Sequence, residues 1–240
     1  MGITRHIPNT ITSMNLLAGT MGVICTFQGE MTAAFLLMLA AAVFDFSDGL
    51  AARLLKAYSP IGKELDSLSD MVSFGVLPSL MLVETMQLHG NTGVCSYLPL
   101  FLAVMSGVRL AKFNVDERQT TDFLGVATPT SAIICGSLCC YIATATDSVL
   151  QGWAGSAWGL PLLALALGLL LVSEVPMFGM KIAKGHRLLD AKRIVFLGLA
   201  ATILVLTAVR RLNWSLAVLL VFCIYITENL ILALFRKSAE

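Results

Sequence analysis

Asp45-Phe-Ser-Asp48-Gly49-Leu-Ala-Ala52-Arg53 is followed, after eight residues, by Gly62-Lys-Glu-Leu-Asp66-Ser-Leu-Ser-Asp70. Along a helix, Asp45, Asp48, Gly49 and Ala52 are spaced i, i+3, i+4, i+7 and share one face. Gly62, Asp66 and Asp70 are spaced i, i+4, i+8 and share one face of a second helix. Pro60 stands in the short connection, where it suits a turn before a new helix begins. A helix–loop–helix hairpin brings the two faces together. The spacing therefore predicts four converging carboxylates, with small residues between them.

The chain around that stretch belongs in a bilayer. Its 240 residues are 57% hydrophobic and only 13% charged, with a mean hydropathy of +0.83, whereas soluble domains carry about 25% charge. A spanning helix needs roughly 20 largely apolar residues. Candidate stretches are Ile11–Phe27, Met31–Phe44, Met71–Leu88, Tyr97–Ala111, Thr130–Thr146, Trp158–Val172, Ile194–Val209 and Trp214–Phe235. The second is short alone, and its helix is expected to run on into the polar residues after it. The expected fold is an all-α integral membrane protein, a bundle of about eight transmembrane helices. No linker, low-complexity tract or fixed-period repeat divides residues 1–240, so one domain is expected.

Positive charge sets the orientation. With the N-terminus inside and every stretch spanning, only Arg210 and Arg211 of the sixteen Lys and Arg fall outside. The positive-inside rule then predicts that both termini are cytoplasmic. The inner loops, 53–63, 112–127 and 173–193, hold the polar residues, so the active site is expected to face the cytoplasm. Trp153, Trp158 and Trp214 stand at span ends, as an aromatic belt requires. A net charge of +1 gives no polyanion-binding signal, and no nucleic-acid partner is expected. The Ile11–Phe27 run ends without a small-x-small cleavage site and reads as a retained first helix. The six cysteines lie mostly within spans, and Cys135 and Cys139 read as small packing groups rather than metal ligands.

Four aspartates meeting at a membrane are costly. An Asp at the bilayer centre costs ~2.5–3.5 kcal/mol on insertion scales, and the carboxylates repel one another. Arg53 can neutralise one charge, while Lys56 and Lys63 lie further toward water. Divalent cations offset the rest, because hard oxygen ligands suit Mg²⁺ or Mn²⁺. Two such ions form a clamp suited to displacement at phosphorus. Gly49, Ala52 and Gly62 remove bulk from the carboxylate faces and leave room for a ligand; close helix packing through small residues is the alternative.

This pattern resembles the signature of the CDP-alcohol phosphotransferase family, D-x2-D-G-x2-A-R-x8-G-x3-D-x3-D, with every fixed position matched across residues 45–70. The resemblance implies that Asp45, Asp48, Asp66 and Asp70 hold two divalent ions, and that Asp70 also serves as general base. It implies that Gly49, Ala52, Arg53 and Gly62, with Asp48, line the site of the CDP moiety. Ile7-Pro8-Asn9…Thr12…Asn15…Gly19 resembles the opening of these proteins, and Asn9 and Thr12 are candidates to approach the nucleotide or to cap the first helix. Homodimers are common in the family, so a second copy is a candidate partner besides the lipid bilayer.

Further stretches resemble the phosphatidylserine synthases within that family: Asp70-Met-Val-Ser73-Phe-Gly-Val-Leu77-Pro78, Arg109-Leu-Ala-Lys112-Phe-Asn114, Phe123-Leu-Gly125…Thr128-Pro129 and, more loosely, Val172-Ser-Glu-Val-Pro176. Leu77, Lys112 and Ala127 depart from their usual Ala, Arg and Pro. The implied substrates are CDP-diacylglycerol and L-serine. Arg109 is then the candidate partner of the serine carboxylate, with a snorkelling residue as the alternative. Ser73 is a candidate acceptor contact, with helix packing as the alternative. Glycerol phosphate or inositol phosphate acceptors would need extra cations. The unrelated phospholipase-D chemistry is excluded, since His6, His89 and His186 lack the H-x-K pattern. A divalent-cation transporter remains the non-enzymatic alternative, although the acids gather at one end and no inverted repeat is visible.

Overall fold

The computed structural model describes residues 6–115, 123–146, 148–177 and 191–237. Arg5, Arg118, Lys181, Lys184 and Arg187, five of the fourteen Lys and Arg expected on the inner side, lie outside the described residues, as does His186.

The described residues are almost wholly helical. Helices α1 (His6–Phe27) and α2 (Met31–Leu54) form a hairpin, followed by α3 (Pro60–Asp70), a π-helical turn (Met71–Val76) and α4 (Leu77–Leu88). A 3₁₀ segment (Val94–Leu100) leads into α5 (Phe101–Val115), and α6 (Thr128–Thr144), α7 (Ser148–Gly155), α8 (Gly159–Val172), α9 (Ala191–Arg210) and α10 (Trp214–Lys237) complete the bundle. Five continuous helices are long and apolar enough to cross a membrane: His6–Phe27, Met31–Leu54, Pro60–Leu88, Val94–Val115 and Trp214–Leu234. The pair α7 and α8 is bent by 71° and together meets the same test, and Thr128–Thr144 and Ile194–Arg210 are shorter apolar helices.

Local chemistry explains where the important helices begin and end. Ser59 caps α3, its hydroxyl accepting from the Gly62 N–H at 3.0 Å with Pro60 at the first position, the two residue types best suited to those places. At the end of α2, Lys56 takes a left-handed conformation (φ 48) and the Ala57 N–H closes back on Ala52 O at 3.0 Å, a helix stop of the Schellman type. These two devices set a tight turn between the helices that carry the acids.

Helix α6 lies at the centre. Every side chain from Ser131 to Cys140 is buried, as expected of a helix that is apolar all round. It packs against α2, α4 and α10, where Phe35, Met38, Leu77, Met81, Cys135 and Cys139 form one cluster. Both cysteines are free and buried in this cluster.

Three features differ from the sequence expectations. The 147–157 stretch, which the candidate spans Thr130–Thr146 and Trp158–Val172 leave as a connection, contains α7, because Val149, Leu150 and Trp153 give it an apolar face. Asp70 ends α3 but not the helix, which continues through the π turn into α4. The chain also holds a two-residue antiparallel ladder, Phe123 with Met177 and Leu124 with Pro176. That ladder joins two of the stretches quoted above for their resemblance. Gly125, beside it, has φ +73, donates to Val175 O at 2.9 Å, and is followed by a Val126 N–H bond to Leu170 O at 3.1 Å.

A Cβ at Gly125 would lie 2.6 Å from Leu171 O and 2.8 Å from Ser173 O. Backbone oxygens cannot move aside cheaply, and left-handed conformation costs an L-residue about 1–2 kcal/mol more. Gly125→Ala is therefore expected to lower the melting temperature in detergent by several degrees, whereas Gly198→Ala, in open space on α9, leaves it unchanged. Equal melting of the two variants would contradict this packing of the loop.

Candidate active site

Three helix ends build the site. Helix α2 delivers Asp45 and Asp48, α3 delivers Asp66 and Asp70, and α1 lies alongside both. A buried serine fastens α1 to the helix that follows Asp70, Ser73 donating to Asn15 O at 3.1 Å; Ser69 lies 3.2 Å from Thr12 O, but its hydroxyl has a nearer acceptor in Leu65 O of its own helix at 2.8 Å. The expected hairpin is present, and a third helix clamps it.

Asp45, Asp48 and Asp66 each offer a carboxylate oxygen, and the three oxygens lie within 4.8 Å of one another. Asp45 and Asp66 face each other at hydrogen-bonding range. Asp70 stands beside this trio, close enough to feel the charges of Asp45, Asp66 and Asp48. The four predicted carboxylates are thus brought together, three tightly and the fourth adjoining. Thr12 donates to Asp48 Oδ2 at 2.5 Å, and Asn15 Nδ2 donates to Asp70 Oδ1 at 3.3 Å. Asp66 Oδ1 is buried with no hydrogen-bond partner.

The expected neutralisation by Arg53 is not made. Arg53 is exposed and its Nε donates to Gly49 O of its own helix at 2.9 Å. Lys63 donates to Asn114 O at 3.2 Å, across to α5. Among the described residues, no cationic side chain is a significant partner of Asp45, Asp48 or Asp66. An unpartnered buried carboxylate oxygen within a group of like charges is an unstable arrangement unless a cation completes it. Oxygen donors only, and no nitrogen or sulfur, fit a hard divalent ion such as Mg²⁺ or Mn²⁺.

Beside the acids opens a cavity of about 530 Å³, walled by Asn9, Thr12, Asp48, Gly49, Ala52 and Gly62 among others. The nearest atom to a Cβ at Gly49 would be the Arg53 guanidinium at 3.8 Å. Gly49 therefore leaves space for a ligand and is not a helix-packing contact. Gly62 is different, since a Cβ there would meet Asn9 Oδ1 at 2.8 Å and Ser59 Oγ at 2.9 Å. Neither Asn9 nor Thr12 sits at a helix cap, because α1 is already under way at His6. Both line the cavity.

Arg109 does not snorkel. It is 7% exposed, its Nε donates to Val126 O at 2.5 Å, and its Nη1 reaches Thr128 Oγ1 at 3.4 Å. The guanidinium carbon lies 5.7 Å from the Phe113 ring centroid. Its charge interacts with Asp70 and with Tyr225 of α10, so it belongs to the Asp70 side of the site. Ser73, by contrast, is fully buried with its hydroxyl on Asn15 O, which matches the packing alternative. Three residues beyond Asp70, Ser73 would lie one turn on along the same face of an α-helix, but the π turn that begins at Met71 breaks that register.

Asn15, quoted above only as part of the opening resemblance, and Ser69 are not among the expected site residues. A usable signal existed: Pro8, Thr12, Asn15, Gly19, Gly22 and Thr26 are buried on α1 at alternating steps of four and three. That is a helix seam, and two polar residues within it face the acids.

The family model described as CDP-alcohol phosphatidyltransferase matches residues 5–177. The chain belongs to that family. Among similar proteins, the CDP-diacylglycerol–serine O-phosphatidyltransferase of Mycobacterium tuberculosis (strain ATCC 25618 / H37Rv) is 33% identical over 178 residues, covering 71% of this chain and 60% of the relative. The protein of the same description from Bacillus subtilis (strain 168) is 34% identical over 125 residues, 52% of this chain and 70% of the relative. The archaetidylserine synthase of Methanothermobacter thermautotrophicus is 31% identical over 134 residues, 55% of this chain and 56% of the relative. The chain thus spans about 60% of the length of the mycobacterial relatives it matches.

Thr12 holds Asp48 through its hydroxyl, and removing such a supporting hydrogen bond typically costs about 10–100-fold in metal affinity. Thr12→Val is expected to weaken Mn²⁺ binding by about that factor in a titration followed by electron paramagnetic resonance. Unaltered affinity would mean that the Thr12–Asp48 contact does not serve a metal site.

Proposed function

We propose that the chain transfers the phosphatidyl group of CDP-diacylglycerol to L-serine, giving phosphatidylserine and CMP. The observation that carries this reading is the cluster of unneutralised carboxylates at the wall of a cavity that Gly49 and Ala52, on the same helix as Asp48, help to keep open. The names of the relatives support serine as the acceptor and CDP-diacylglycerol as the donor.

In this reading the chain is a single membrane domain of about eight spans, made of the five long helices, the bent α7–α8 pair and the two shorter apolar helices. Both termini and the active site face the cytoplasm, which the distribution of Lys and Arg supports. The bilayer supplies the lipid donor sideways, and a homodimer is compatible with the exposed apolar faces.

Asp45, Asp48, Asp66 and Asp70 would hold two divalent ions, Mg²⁺ or Mn²⁺, which when bound neutralise charge on the diphosphate and on the departing CMP. The chain's own groups do the rest. The nucleotide occupies the cavity beside Asn9, Thr12, Gly49, Ala52 and Gly62, and Arg53, at its rim, turns from Gly49 O toward the donor phosphates. Asp70 accepts the proton of the serine hydroxyl as that oxygen forms its bond to the lipid-linked phosphorus. The bond from that phosphorus to the bridging oxygen breaks, and CMP leaves with the electron pair. Arg109 keeps N–H groups beyond those spent on Val126 and Thr128, and these receive the serine carboxylate. Ser73 contributes by packing α1 rather than by touching the acceptor.

Release of CMP from CDP-diacylglycerol is expected to depend on both a divalent ion and L-serine, with glycerol 3-phosphate, inositol and inositol phosphate inactive. Turnover with one of those instead would overturn the acceptor and leave the phosphorus chemistry intact. Asp70→Asn should lower kcat by about a hundred- to ten-thousand-fold in a protein that still folds; near-normal turnover would remove Asp70 from the role of base.

A further inference from the structure

Asn15 is the second buried group at the site with an unmet hydrogen-bonding need. Its side chain is 0% exposed, its amide nitrogen is held by Asp70 Oδ1 at 3.3 Å, and its amide oxygen is buried with no partner. The orientation is set by chemistry, because a carboxylate accepts and so takes the NH₂ end of the amide. Interiors leave few acceptors in this state. At Asn15 Oδ1 an entering donor would break no hydrogen bond already made.

The surroundings say what kind of donor fits. Asp70 accepts from the amide nitrogen, and Asp45 and Asp66 carry their charges close to Asp70. A group entering here does best with positive charge and several N–H bonds in different directions. An ammonium has three donors and no acceptor, and it can address Asn15 Oδ1 and a neighbouring carboxylate together. In an amino alcohol such as serine, the carbon bearing the amino group adjoins the carbon bearing the hydroxyl. Placing the hydroxyl at Asp70 therefore puts the ammonium in the neighbourhood of Asn15.

We propose that Asn15 is a specificity-determining residue for the acceptor: its amide oxygen receives a hydrogen bond from the acceptor's ammonium group while its amide nitrogen holds Asp70 toward the hydroxyl. The inference rests on the acceptor chemistry proposed above, and it deepens that reading by assigning the amino group a partner. Arg109 then recognises the carboxylate end and Asn15 the amino end, with the reacting hydroxyl at Asp70.

The test compares L-serine with 3-hydroxypropanoate, which keeps the hydroxyl and carboxylate and lacks the amino group. Both are given to the full chain in mixed lipid–detergent micelles with CDP-diacylglycerol and Mn²⁺. CMP release yields kcat/KM where the analogue turns over, and an inhibition constant where it only competes. Asn15→Leu, close in volume, is expected to cut the preference for serine over the analogue by about tenfold or more, the value of a hydrogen bond to a charged group, with KM for CDP-diacylglycerol unchanged. If the leucine variant does not fold, Asn15→Ser, too short to reach both partners, carries the same comparison. An equal loss on both acceptors would overturn the proposal. So would an unchanged preference accompanied by weakened Mn²⁺ binding, which would make Asn15 part of the metal site alone. A wild-type protein that releases no CMP with serine fails the underlying reading instead, and that result is visible before any variant is made.

Discussion

Mutual repulsion among Asp45, Asp48, Asp66 and Asp70 is the constraint on which the rest of the structure depends. Three carboxylates share a space less than 5 Å across, at the ends of helices built for a bilayer, and the nearby cations are turned elsewhere. Arg53 folds onto its own helix and Lys63 reaches across to α5. Helices free to move would spread such charges toward water. Here they are held by a capped and sharply stopped hairpin, by Ser73 bonded to α1, and by Thr12 and Asn15 pressed onto two of the acids. The scaffold resists the repulsion, and the charge it concentrates is what draws a cation.

The site is assembled from backbone features as much as from acids. The stop at Lys56 and the start at Ser59 leave room for only a short turn between the acidic helices, so both faces point into one space. The π turn after Asp70 then re-registers the helix, packing against both α1 and α5. Helical π turns are frequent at functional sites, and this one separates the last acid from the apolar helix that follows. On the far side, Arg109 pins the loop before α6 through Val126 O, and the Phe123–Leu124 ladder ties that loop to Pro176 and Met177, just beyond α8. Segments distant in sequence are thereby fixed around Asp70.

The acidic hairpin was legible because it uses helical spacing, which the sequence displays directly. Asp45, Asp48 and Gly49 could be placed on one face without coordinates, and the length of the apolar runs gave the all-helical membrane architecture. Interactions between distant segments were harder to read. Arg53 looked like a counter-ion by proximity in sequence, yet its chain is long enough to choose a carbonyl four residues back. Ser73 looked like a site residue because α-helical register was assumed through a stretch that adopts a wider turn. The ladder between residues 123–124 and 176–177 has too few residues for any periodicity to reveal. Asn15 lay within a readable seam on α1, and its importance follows only from seeing that the seam meets Asp70.

The account stands most directly on whether the carboxylate cluster holds metal. Crystals of the protein soaked in Mn²⁺ and measured at a wavelength where manganese scatters anomalously provide that test. The account predicts anomalous peaks bounded by Asp45, Asp48, Asp66 and Asp70, which vanish in Asp66→Asn crystals of the same form. A map without a peak among those four side chains, from crystals that diffract well and hold saturating Mn²⁺, would contradict it.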